Sequence, residues 1–183
     1  MFDITIPAQE LYNETSGEFI NIPEFHLQLE HSLISLKKWE SKWHKPFIGR
    51  KDLSIEEMQD YVRCMTINKN IPEWYYSYIP SKYMNQIVDY IKDPMTATWF
   101  SNNDKVGAAK SKNDVITNEI IYYWMITLNI PVEFQKWHLE QLLTLIKVVS
   151  IKNQPKKKMN KKEEARQRAA LNKARQNKYH TKG

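Results

Sequence analysis

The apolar residues of this chain change their spacing once. Between residues 2 and 30 they alternate: Phe2, Ile4 and Ile6 fall on one side, Leu27 and Leu29 do likewise farther on, and "NETSG" (13–17) lies between them as turn chemistry. From Leu33 onward they recur at three and four, the spacing of a single helical face. This pattern predicts a mainly α fold, in which a small N-terminal β-hairpin or meander over 1–30 precedes a helical domain over 31–151.

The helices can be placed by their stripes and stops. Leu33, Leu36, Trp39 and Trp43 share a face, and Pro46 and Gly49 end that helix. Ser54 and Glu57 have the spacing of a capping box, followed by a stripe of Ile55, Met58, Tyr61, Val62 and Met65. Pro72 stands at a third entry, the chain breaks at Pro80, and a helix restarts at Ser81 with Tyr83, Met84, Ile87, Val88 and Ile91 inward. Residues 101–113 are polar and aperiodic, and read as a mobile surface loop. Asn113 or Asp114 then caps a very apolar helix, and Pro131 opens another running to about residue 152. On the latter only Glu140, Thr144 and Lys147 make a polar strip, so it is either the central core helix or partly an interface with another chain.

Charge divides the chain unevenly. From Lys152 onward there are 12 Lys/Arg against 2 acidic residues, and before it 15 against 19. The tail over 152–183 reads as a conditional helix, with Asn160 and Glu163 as its cap and bases after them. Its few apolar residues bury too little to hold it alone, so it orders only on a partner or against the domain and is otherwise solvated and unstructured. Lys156, Lys157, Lys158, Lys161, Lys162, Arg166, Arg168, Lys173 and Arg175 are its electrostatic contacts, for an acidic protein or, without sequence preference, for nucleic acid.

Signs of catalysis are missing. Four scattered Gly make neither a phosphate loop nor a dinucleotide fingerprint, and the five His include no zinc-binding spacing. His31 near Glu30, and His138 near Glu133 and Glu140, could do acid–base work, but read more simply as helix-face neighbours. A single cysteine, Cys64, forms no internal disulfide and reads as a small core residue. The expectation is a protein without enzymatic activity, metal or cofactor. The N-terminus puts acid where a signal peptide needs base, and the longest apolar run is too short to span a membrane, so no membrane partner is expected. Among the aromatics, Trp39, Trp43, Trp99, Trp124 and Trp137 mostly fall on apolar faces, whereas Trp74, Tyr75, Tyr76 and Tyr78 form a candidate exposed contact cluster, joined by Phe134 and Trp137 on the broad apolar face farther on.

The stretches "LEHSLISLKKWESKWHKPF" (29–47), "MTATWF" (95–100) and "EIIYYWMITLNIPVEFQKWHLEQLLTLIKV" (119–148), with the ending "ALNKARQNKYHTKG", resemble a family of small proteins encoded in the structural modules of tailed bacteriophages, whose members are labelled uncharacterised or tail assembly chaperone. The resemblance implies a non-enzymatic factor in the host cytoplasm that binds the long helical tape-measure protein, recruits tail-tube subunits and is absent from the finished virion. It carries over no catalytic or metal residues. Two other readings stand beside it: a nonspecific nucleic-acid-binding phage protein acting through the basic tail, and a virion structural component.

Overall fold

A computed structural model describes residues 1–13, 17–50, 52–98, 100 and 115–153, and residues 165, 166, 168–170, 172 and 176 of the tail. The chain forms two compact units, Met1–Lys152 and Asn153–Gly183. The first is mostly helical with a small β element at its N-terminus. The expected loop over 101–113 and the caps Asn113 and Asp114 lie outside the described residues, as does Trp99.

The β element is one long hairpin interrupted once. Strand β1 (Phe2–Ile6) pairs antiparallel with β4 (Phe25–Leu29), and β2 (Gln9–Asn13) with β3 (Glu18–Ile22). Ile6 lies opposite Phe25 and Gln9 opposite Ile22, so the register passes through the interruption without an inserted residue. Pro7 and Pro23 stand in the gap on consecutive pairs of the continued register, of which an antiparallel ladder hydrogen-bonds one, so one of the two prolines removes an amide that ladder would need. Because cross-strand partners share a face, Ile4 and Ile6 meet Leu27 on the buried side, as their alternation predicts. Beyond β4 the chain leaving the second helix lies alongside it: the Glu30 amide donates to the Met65 carbonyl and the Ile67 amide to the Gln28 carbonyl.

Helix α1 (Leu33–Trp43) is capped by Ser32, whose hydroxyl accepts from the Ser35 amide, and it buries Leu33, Leu36 and Trp39 completely. Each such side chain contributes about 1.5–3 kcal/mol. The helix closes earlier than Pro46: His44 turns left-handed (φ 53°) and donates its amide to the Glu40 carbonyl. Helix α2 (Ile55–Met65) has the expected capping box, with both the Ser54 and the Glu57 halves formed. Tyr61, Val62 and Met65 go inward, but Ile55, expected on that stripe, is exposed. It occupies the first helical position, before the stripe reaches the core. Polar groups also tie α1 to α2. The Trp39 indole donates to the Glu57 carbonyl, and Lys42, Trp43 and Arg63 all donate to the Asp60 carboxylate. Burial pushes the Asp60 carboxyl up, but these three donors outweigh it and hold the group below its ordinary value.

A short 3₁₀-helix, Glu73–Tyr78, follows, and Pro80 then precedes α3 (Ser81–Lys92), so the expected break and restart are both present. Ile87 and Tyr90 are the buried residues of α3; Tyr90 was not on the expected stripe. Helix α4 (Asn118–Thr127) begins after Thr117, which is extended. The single helix expected from Pro131 is divided. Val132–Lys136 is a 3₁₀-helix, Trp137 is extended (φ −69°, ψ 160°), and α5 (Leu139–Asn153) starts after His138. The division has a tertiary cause: Ser32 and His138 form a β-bridge and the Leu139 amide donates to the His31 carbonyl at 2.7 Å. Helix α5 buries Leu139, Leu142 and Ile146, and most of its other residues are half-buried.

Candidate partner-binding surface

The aromatic run 74–78 folds as a 3₁₀-helix, and that geometry decides which rings remain available. With three residues per turn, positions i and i+3 eclipse, so the run has three ridges rather than a helical stripe. Trp74 and Ser77 share the outer ridge and are exposed. Tyr75 and Tyr78 share the second, Tyr76 and Ile79 the third. Tyr75 is fully buried, its ring 4.0 Å from that of Phe25, and Tyr76 and Ile79 are buried too. Burial raises the Tyr75 phenol to about 12 and pushes Tyr76 up as well. The expected four-ring contact cluster is therefore corrected: Tyr75 and Tyr76 belong to the core, Tyr78 is half-buried, and Trp74, about half exposed, is the ring that faces out.

Phe134 lies in the second 3₁₀-helix and Trp137 just beyond its end. Three residues apart, their rings stack 4.2 Å apart; Phe134 packs on the core and Trp137 stays 42% exposed. Among the described residues no ring contact joins this pair to Trp74. Of the other tryptophans, Trp39 is core, and Trp43 and Trp124 are half-buried against it. In the tail, Arg166 and Arg168 are helical and exposed. Lys156, Lys157, Lys158, Lys161, Lys162, Lys173 and Arg175 lie outside the described residues.

Another uncovered apolar face is on α4, which the sequence reading did not single out. Ile121 and Met125 point into the core, while Tyr123 and Ile126 are 64% and 75% exposed and Val132, just beyond, is exposed as well. The signal was present in the sequence: in "EIIYYWMI" seven of eight residues are apolar, so a helix covered on one side must leave some of them outside.

The polar residues of interest are committed to the fold. His31 and His138 are both buried, ring to ring at 5.0 Å, and His31 Nδ1 lies 2.6 Å from the Tyr61 hydroxyl. His31 does not use Glu30, whose carboxylate accepts from the Tyr90 hydroxyl at 2.8 Å and meets the N-terminal ammonium at 2.7 Å. Burial, reinforced by the neighbouring His138, lowers the His31 imidazole to about 3 and so keeps it neutral. His138 Nε2 lies 3.1 Å from the Tyr90 carbonyl oxygen, and Nδ1 is among the buried atoms without a hydrogen bond. Neither imidazole meets Glu133 or Glu140, the carboxylates near it in sequence. Cys64 is buried and its thiol is pushed up by burial, away from the thiolate. An open hollow lies between the end of α1 and the start of α4, but the buried carboxylate on its wall, Glu40, is occupied by three amide donors. Among the described residues no group of three or more His, Cys, Asp or Glu stands together as a metal site, and no helix is long and apolar enough to cross a membrane.

Comparisons with protein-family models, with curated proteins and with solved structures found no match to the chain.

Proposed function

We propose that this chain is a non-enzymatic assembly factor that shields a helical partner, and specifically a bacteriophage tail assembly chaperone for the tape-measure protein. The observation that carries the binding role is the outward face of α4 and the segment after it, where Tyr123, Ile126 and Val132 are exposed. A helical partner lays an apolar stripe on such a face, gaining burial that water denies both surfaces separately. The phage assignment rests on the residue resemblance over 29–47, 95–100 and 119–148, the last of which contains this face. It carries with it tail-tube subunits as a second partner, a place in the host cytoplasm and absence from the mature virion.

Co-expression with the tape-measure protein tests the proposal. The soluble fraction of the tape-measure protein rises with this chain present, and the double variant Tyr123→Ser/Ile126→Ser loses that gain while melting as the parent does. No gain with the parent chain rejects the reading.

The charge surplus of the tail supports a second reading, sequence-indifferent nucleic-acid binding. Affinity for a duplex that falls steeply with salt and disappears on deletion of 152–183 distinguishes it; no binding at low salt eliminates it.

A further inference from the structure

Beyond the interruption at Pro7 and Pro23 the hairpin becomes an arm. Ile22 at its base is buried, and the Gln9 side-chain amide ties it to the Tyr78 carbonyl. Farther out, Leu11, Tyr12 and Phe19 are all exposed. Tyr12 and Phe19 are direct cross-strand partners, their rings 5.1 Å apart, 57% and 67% exposed on the face that the Leu11–Ile20 pair does not occupy. Among the described residues each sheet pairing holds two strands only, so β2 and β3 each keep an edge that no described strand pairs. Free edges and exposed rings together are what isolated ribbons avoid unless something covers them.

The charge around this arm selects the occupant. No Lys or Arg precedes Lys37, whereas Asp3, Glu10, Glu14, Glu18, Glu24 and Glu30 all do. Glu30 is spent on the N-terminus and Tyr90, and Asp3 lies 3.5 Å from His26. Glu10, Glu18 and Glu24 are exposed and enter no ion pair among the described residues. Glu10 sits two residues from Tyr12 on β2 and so shares the face of the ring pair, whereas Glu18, next to Phe19 on β3, belongs to the opposite face of the same ribbon. An aromatic pair with a carboxylate on its own face attracts a cationic side chain twice, through the rings and through the anion. The same charge repels nucleic acid and disfavours edge-to-edge pairing with a second copy of the arm.

We propose that β2–β3 is a docking arm for a basic, extended segment of a protein partner, which adds to its edge as a strand and sets Lys or Arg side chains over the Tyr12–Phe19 pair. Main-chain hydrogen bonds supply the affinity of such an addition, and alternate side chains supply the selectivity. The arm is separate from the α4 face, so its test does not depend on the tape-measure reading.

The probe is a fluorescein-labelled octapeptide alternating Lys and Val, titrated at low salt into the full-length protein, with an alternating Glu and Val octapeptide and octalysine as controls. The Lys/Val peptide binds at least about ten-fold tighter than either control, and Tyr12→Ser or Phe19→Ser lowers its affinity about ten-fold. Both side chains are exposed, so the variants keep the parent's melting temperature. Hydrogen exchange slows on peptide addition at the amides of residues 9–13 or 18–22. Octalysine binding as tightly as the Lys/Val peptide, insensitivity to both serine variants, or no peptide binding at all overturns the proposal. Self-association in sedimentation that Phe19→Ser abolishes overturns it too, in favour of a second copy.

Discussion

Glu40 on α1 receives two hydrogen bonds of 2.7 Å from Asn118, one from its backbone amide and one from its side-chain amide, across a separation of 78 residues. Its other oxygen accepts from the Phe47 amide at 3.0 Å. Thr117 occupies the N-cap position of α4 without a side-chain cap, so the carboxylate of another helix takes over that duty at the positive end of the helix dipole. Glu40→Ala leaves three donors without a partner in a buried place. We expect a loss of about 3 kcal/mol in urea unfolding, since each orphaned donor costs about 1–3 kcal/mol and the site relaxes only in part. Glu40→Gln, which keeps an acceptor, loses less.

His31 makes stability depend on pH. Its imidazole is lowered to about 3 in the folded protein against an ordinary 6.5, so between those values the unfolded chain binds the proton and the folded chain does not. The resulting stability is complete above pH 6.5 and is lost as the pH falls toward 3. The full window is worth up to roughly 5 kcal/mol. Urea midpoints for the parent therefore fall between pH 7 and pH 4, and His31→Gln, which can still meet the Tyr61 hydroxyl, flattens that slope.

Tyr75 and Trp74 are neighbours with opposite expected effects. Trp74→Ala removes a half-exposed ring and leaves stability within about 1 kcal/mol of the parent, whereas Tyr75→Ala empties a core site and costs about 3–5 kcal/mol. The Tyr75 hydroxyl is buried without a hydrogen bond among the described residues, so Tyr75→Phe is neutral or stabilising by about 1 kcal/mol. A clear destabilisation by that change would show that the hydroxyl is paired.

The α2 cap provides a local control. Ser54→Ala deletes the acceptor for the Glu57 amide and lowers stability by about 1 kcal/mol, with no change in the pH dependence attributed to His31.

Local patterns could be read directly. The capping box at Ser54 and Glu57, the inward face of Leu33, Leu36 and Trp39, and the shared side of Ile4, Ile6 and Leu27 all follow from residue spacing along a regular element. Errors arose where regularity failed. Tyr75 and Tyr76 are expected in an exposed aromatic cluster, but the chain there is a 3₁₀-helix whose ridges repeat at three, and both rings are buried. Of the candidate contact residues, Trp74 and Trp137 are exposed, while Tyr123 and Ile126 are not legible as exposed from the sequence, because an apolar helix does not say which of its sides will be covered.

The alternating and helical periods of the sequence determined by themselves that a short β element precedes a helical domain, because each period places side chains on a face through backbone geometry alone. Only the tertiary structure decided that Glu40 caps α4, that the helix expected from Pro131 breaks where His138 meets Ser32, and that His31 pairs with Tyr61. Those outcomes depend on groups far apart in the chain, whose hydrogen bonds form only after burial has brought them together and removed the competing water.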